Sequence, residues 1–171
     1  VIHAIGTGGH DLSTEVGAIT TKDALAGLAQ YDPVDVIVVV SKPPAEKVKN
    51  DVVELLHSLN KPVVAIFLGE KPEYHKGNVY FAHTLEECAK IAVDLSKGEK
   101  IKKNYQEKSN VHPKDSNIAD KTIKGLYSGG TLAYEATMLV TETLKLSSIT
   151  KEEGYMLKTE GFEIMDLGDD I

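Results

Sequence analysis

The chain has 171 residues, enough for one full core or for one domain and part of another. With 42% hydrophobic and 26% charged residues it has the balance of a globular protein, and no apolar run approaches the roughly 20 residues of a membrane span. The net charge of −7 speaks against nucleic acid, which requires a basic face, and all 19 basic residues are lysine. A site for an anionic group must therefore use lysine, backbone N–H groups or helix ends in place of the arginine fork. The single cysteine, Cys88, excludes an internal disulfide and fits a reducing compartment. With no signal-peptide pattern at Val1, the expected location is the cytoplasm.

In chain order, the run from Val1 to Ile5 predicts a short buried strand that ends at the glycines around Gly8-Gly9. A helix follows, with Thr20 or Thr21 as N-cap and Ala24, Leu25, Leu28 and Ala29 at helical spacing, and Asp32-Pro33 ends it. The run from Val34 to Val40 is apolar on both faces and predicts a central strand of a parallel sheet. Ser41-Lys42-Pro43-Pro44 stops it, and Ala45, Val48, Val52, Leu55, Leu56 and Leu59 form the stripe of the next helix. Lys61-Pro62 introduces a third strand from Val63 to Gly69, and residues 78–82 predict a short fourth. Thr84 and Glu87 have the spacing of a capping box that opens a helix running to Gly98. This alternation predicts βαβ units and a parallel sheet covered on both faces.

Residues 99–121 read as a Lys-rich linker, with His112-Pro113 in the middle and seven lysines between Glu99 and Lys124. The opening plan then returns: an apolar strand, Ser128-Gly129-Gly130-Thr131, and an apolar helix to Leu146. A second capping box is predicted at Thr150 to Glu153, and Phe162 to Leu167 reads as a strand followed by Gly168-Asp169-Asp170. A chain that begins on a bare strand and stops just after another is expected to be a fragment of a longer protein.

The segment Gly125 to Ala136, GLYSGGTLAYEA, resembles the opening strand–turn–helix of the ligase domain in succinyl-CoA synthetase α subunits. HAIGTGGHDLS, DPVDVIVVVSKPPAE and KPVVAIFLG follow the order of that domain's later strands, and IGTGGHDLS, VSKPPA and MDLGDD are similar to FdrA proteins. That branch is acyl-CoA-synthetase-like and carries two ligase domains after a CoA-binding domain. The resemblance implies a flavodoxin-like fold, with residues 1–98 the latter part of a first ligase domain and residues 122–171 the start of a second. It also implies that residues 123–146 complete the sheet of the first domain, in cis or from another copy, because a bare sheet edge is a liability.

A glycine pair between strand and helix permits positive φ and lets N–H groups approach a ligand, and the helix N-terminus adds orphan donors and a positive dipole end. The expected anion-binding residues are Thr7, Gly8 and Gly9 in one turn and Ser128, Gly129, Gly130 and Thr131 in the other. The resemblance implies that such turns hold a phosphohistidine in the synthetases. The Gly-His-Ala segment that carries it there has no counterpart in residues 70–83, where His75 and His83 are read as an exposed loop residue and a strand-end surface residue. The turns also lack the GxGxxG spacing of a dinucleotide site.

Weaker candidates are Ser41 and Lys42 at a strand end, where open α/β sheets place ligands, and His10 for proton chemistry after the first turn. His3 inside its apolar strand is expected to be a hydrogen-bonded core residue, and Cys88 on the stripe Leu85, Cys88, Ala89, Ala92 a packing residue. Asp169 and Asp170 are read as solvated acids, and neither a Ser–His–Asp spacing nor a metal-ligand cluster is present. No resident cofactor is assigned to this chain; the resemblance implies CoA, a nucleotide and Mg²⁺ for the family. Expected partners are other domains or subunits of the parent enzyme or another copy of the chain, with no nucleic acid and no membrane.

Two functions follow. One is a part of an FdrA-like protein acting on acyl or carbamoyl groups, which the resemblance extends to a subunit of an oxamate carbamoyltransferase in purine and allantoin catabolism. The other is a non-catalytic ligase-fold scaffold for assembly or small-ligand binding. The absence of arginine and of the histidine motif favours inactivity for the chain alone, and the resemblance favours catalysis for the parent.

Overall fold

The computed structural model describes residues 1–70, 72, 75–101, 122–146, 154–159 and 161–168. Most of the predicted linker, the capping box at Thr150 to Glu153, and Asp169 and Asp170 lie outside these residues. The protein is α/β and divides into two compact units, Val1–Tyr105 and Gln106–Ile171.

In the first unit α1 (Ile19–Gln30) precedes β1 (Ile37–Ser41), α2 (Glu46–Ser58), β2 (Val63–Phe67), β3 (Val79–Phe81) and α3 (Leu85–Ser96). The strands form a parallel sheet in the order β1-β2-β3, with Ile37 opposite Val63 and Val63 opposite Val79. Alternation of side chains sends Ile37, Val39, Val63, Ala65 and Phe67 into a core shared with Leu25 and Ala29 of α1 and Val48, Val52 and Leu56 of α2. On the opposite face Val64 and Ile66 are buried, α3 packs on β2, and its apolar stripe buries Cys88 and Ile91. Helices thus cover both faces. Asn78 ties this layer together: its side-chain amide donates to the carbonyls of Leu56, Leu59 and Lys61, at 2.9, 3.1 and 3.0 Å. Leu56 is in the last turn of α2, and Leu59 and Lys61 lie in the segment that leads to β2, so one amide ties the helix end to the strand entry.

Two expectations for this unit are corrected. Residues 1–5 form no strand: Val1, Ile2 and Ile5 are exposed and pair with no strand among the described residues. An apolar run is only a propensity, and without a sheet edge and a covering face it has nothing to bury against. The strand read as central, β1, lies at an edge of the described sheet, with Val38 and Val40 each 46% exposed. The central strand is β2, buried at every position, because it alone has a strand on each side and helices above and below.

The Thr84 capping box forms. The Thr84 hydroxyl accepts from the Glu87 amide at 3.1 Å, and the Glu87 carboxylate accepts from the His83 amide at 2.7 Å, one residue ahead of the cap.

In the second unit β4 (Ile123–Tyr127) leads through Ser128-Gly129 into α4 (Gly130–Leu144), followed by β5 (Tyr155–Thr159) and β6 (Phe162–Asp166). The sheet order is β4-β6-β5, with β6 parallel to β4 and antiparallel to β5. Lys124 and Glu163 face each other in register and make a 3.1 Å ion pair. The core packs Ala133 of α4 against Leu157 and Ile164.

Candidate functional site

The second glycine turn is a strand–turn–helix at the carboxyl end of a parallel strand, the place where open α/β sheets bind ligands. Ser128, Gly129 and Thr131 are exposed, Gly130 is the buried first residue of α4, and Gly129 occupies the N-cap position. Glycine has no side chain with which to cap the helix, and the first turn of α4 carries no acid. Among the described residues no side-chain hydrogen bond caps the N-terminal amides of α4, and Ser128, Gly129 and Thr131 leave the positive end of the dipole exposed. Gly129 has φ 178°, extended backbone open to any residue, so the expected positive φ is not what this pair supplies. Its contribution is the missing side chain.

The end of β6 supports this turn. Tyr127 and Asp166 are register partners, and the Leu167 amide donates to the Tyr127 carbonyl at 2.7 Å. Gly168 then lies against the turn itself: a Cβ there would stand 2.6 Å from the carbonyl carbon and oxygen of Ser128 and 3.0 Å from the Gly129 nitrogen. Asp166 is buried, and its Oδ1 accepts from the Gly168 amide at 3.1 Å.

The first glycine turn differs. No strand precedes it, and α1 begins ten positions after Gly9, so Thr7, Gly8 and Gly9 do not form a strand–glycine–helix turn. Gly8 adopts φ +84°, which requires glycine. The chain then folds through successive turns, with Ala18 donating to the Asp11 carbonyl at 2.7 Å and Ala45 to the Leu12 carbonyl at 3.2 Å. This path buries Asp11 under the start of α1. Its Oδ1 accepts from the Thr20 amide at 2.9 Å, and its Oδ2 accepts from the Thr21 amide at 2.8 Å and the Thr21 hydroxyl at 2.6 Å. Burial alone would raise the Asp11 pKa, but the hydrogen bonds from Thr21 and Thr20 outweigh it and hold the carboxyl below its usual value. Ala18 occupies the N-cap position with φ 63° and offers no side-chain cap, so Asp11 supplies the cap from seven residues upstream. The expected N-cap threonines are instead donors inside the first turn. An anion at this helix end would have to displace a carboxylate the chain already carries.

The remaining candidates are scattered. The Thr7 hydroxyl lies 3.3 Å from the Thr21 hydroxyl, whose proton goes to Asp11, and His10 is exposed in the turn. The Ser41 hydroxyl donates to the Lys42 carbonyl at 2.6 Å, which commits it to the backbone; Lys42 is half-buried beside it. His3 is exposed, its ring 5.2 Å from that of Tyr31, so it is not a core residue. His75 is exposed and its Nδ1 accepts from the Phe81 amide at 3.2 Å, while His83 is half-buried. Among the described residues no cluster of three or more His, Cys, Asp or Glu forms, and no helix is long and apolar enough to cross a membrane. A shallow groove lined by Asn50, Val53, Glu54, His57, Lys76 and Asn78 lies toward the amino ends of β2 and β3, opposite the ligand-binding end of the sheet.

Cys88 is buried, and burial, with a smaller contribution from the Glu87 charge, pushes its thiol up to about 12. A thiol so protonated is a poor nucleophile. Labelling with a thiol-specific disulfide reagent at pH 8 should run about 100-fold or more slower in the folded protein than in urea. Equal rates would mean that α3 opens readily.

No family model matches the chain. It is similar to the "Uncharacterized protein YahF" of Escherichia coli (strain K12), with 37% identity over an alignment of 189 positions that takes in 99% of the chain. The chain spans 35% of the length of that relative.

Proposed function

We propose that the chain is part of an FdrA-like, acyl-CoA-synthetase-like protein acting on acyl or carbamoyl groups, and that the N-terminus of α4 at Ser128, Gly129, Gly130 and Thr131 is its anion site. The observation that carries the site is the contrast between two helix ends. The amides of α1 are capped by Asp11, and those of α4 have no side-chain cap and stand at the carboxyl end of a parallel strand. Backbone donors suit a chain without arginine. We read the first unit as the flavodoxin-like type, which its parallel sheet with helices on both faces supports. The edge at β1, with Val38 and Val40 exposed, supports the addition of further βα structure from a longer protein.

CoA and Mg²⁺-nucleotide belong to the activity proposed for the whole protein, in which they would supply the acyl carrier and the phosphoryl group. Within this chain the backbone N–H groups of Gly130 and Thr131 would orient an oxyanion, and among the described residues the buried Asp166 is an acidic group at the neighbouring strand end.

The test uses a protein of YahF-like length containing this chain, incubated with CoA, ATP and acyl acids, and separately with carbamoyl phosphate and oxamate. Product is expected in one assay. Product in neither, with no phosphoenzyme, leaves the alternative of a non-catalytic ligase-fold scaffold, which the missing Gly-His-Ala segment favours.

A further inference from the structure

Asp166 holds an oxygen that the fold does not use. Its Oδ2 is buried and has no hydrogen-bond partner, although Oδ1 is held by Gly168. A buried carboxylate oxygen without a donor is costly, so such an atom calls for a reason. Its position indicates one. Ile164 and Asp166 are the buried positions of β6 and share a sheet face, and Ile164 packs against Ala133 of α4. Asp166 is thus on the helix side of the sheet. It is also the last residue of β6, level with Tyr127, the last residue of β4, and α4 starts three residues after Tyr127. The carboxylate therefore lies at the N-terminal end of α4, bonded to the Gly168 amide that abuts the Ser128–Gly129 backbone.

Placement beside a helix end alone would make Asp166 a cap like Asp11. Asp11, however, uses both oxygens on the amides of its helix, and Asp166 Oδ2 bonds none of those of α4. An anion on the α4 amides would meet this carboxylate at short range and be repelled by it. A cation between the two reverses the sign. Magnesium is commonly held in this way, by one or two carboxylates together with phosphate oxygens and waters instead of an all-protein cage.

We propose that Asp166 is the protein ligand of a divalent cation of the magnesium type that accompanies a phosphate-class anion on the N-terminus of α4. This rests on the anion-site reading above and adds the cation and its ligand.

The experiment is amide NMR of the 171-residue chain titrated with inorganic phosphate, with and without Mg²⁺. Phosphate should move the Gly129, Gly130 and Thr131 resonances, and Mg²⁺ should tighten that binding about tenfold or more. Asp166→Asn should keep the phosphate response and lose the Mg²⁺ enhancement. In the unsubstituted chain, Mn²⁺ added with phosphate should broaden the Ser128 and Gly168 signals first, a readout that holds even if the variant fails to fold. Phosphate shifts at the turn that Mg²⁺ does not strengthen, a Mg²⁺ enhancement that survives Asp166→Asn, or Mn²⁺ broadening centred elsewhere would each overturn the cation while leaving the anion site standing. No response at the turn to phosphate, alone or with Mg²⁺, would overturn both.

Discussion

Asp11→Ala is expected to lower the stability of the first unit by about 2–4 kcal/mol, the loss of a helix cap together with charge-assisted hydrogen bonds. Three donors, the Thr20 and Thr21 amides and the Thr21 hydroxyl, lose their acceptor, and Thr21 is buried where water replaces it poorly. Asp11→Asn retains one acceptor oxygen and should lose about half as much. Urea unfolding with hydrogen exchange at the α1 amides measures both. A fall confined to the amides of α4 would place the effect in the wrong unit. The pH dependence has a definite sign. Because folding holds the Asp11 carboxyl below its ordinary value, its stabilisation is fully present above the unfolded pKa of about 3.9 and is lost as pH falls through the lower folded value. The native chain should therefore lose more stability than Asp11→Asn between about pH 4 and the onset of acid unfolding.

Gly168→Ala should loosen the second unit by about 1–3 kcal/mol, the range for forced overpacking. The atoms a new Cβ would strike are the backbone of Ser128 and Gly129, not the tip of a flexible side chain. Relief requires the end of β6 to part from the turn, which strains the Leu167–Tyr127 hydrogen bond and re-aims the first amides of α4. The Gly129 and Gly130 resonances should shift, and the phosphate response should weaken with them. Native-like stability with unshifted turn resonances would show that Gly168 does not hold the turn in place.

Where structure follows from local pattern, the sequence was readable. The spacing of Val48, Val52 and Leu56 marks α2, Thr84 with Glu87 marks the start of α3, and the glycine pair marks the passage from β4 to α4. The failures involve partners distant in sequence. Val1 to Ile5 has strand composition, but pairing depends on a neighbouring edge that composition cannot report. Val34 to Val40 has the two-sided apolar character of a central strand, yet its place in the sheet is set by which strands flank it. β5 was missed, although Gly154 and Gly161 bracket its run YMLKT. Nothing at the spacing of Asp11 to Thr20 and Thr21 announces a cap, because capping patterns are read within four residues and this one spans ten. Asp166 read only as part of a strand, since its significance lies in an unpaired oxygen beside a helix end.

Among the described residues the core of the second unit is small, built around Ala133, Leu157 and Ile164, while the first unit packs its own larger interior. Such a unit is near the margin at which a fold persists without help. If the two interiors unfold separately, a single melting temperature does not describe the chain. A ligand that binds only the folded form at one hundred times its dissociation constant adds about 2.7 kcal/mol. For a unit whose own margin is of that size, occupancy of the proposed site and folding of the unit would behave as one equilibrium, and ligand concentration would become a control on how much of the protein is intact.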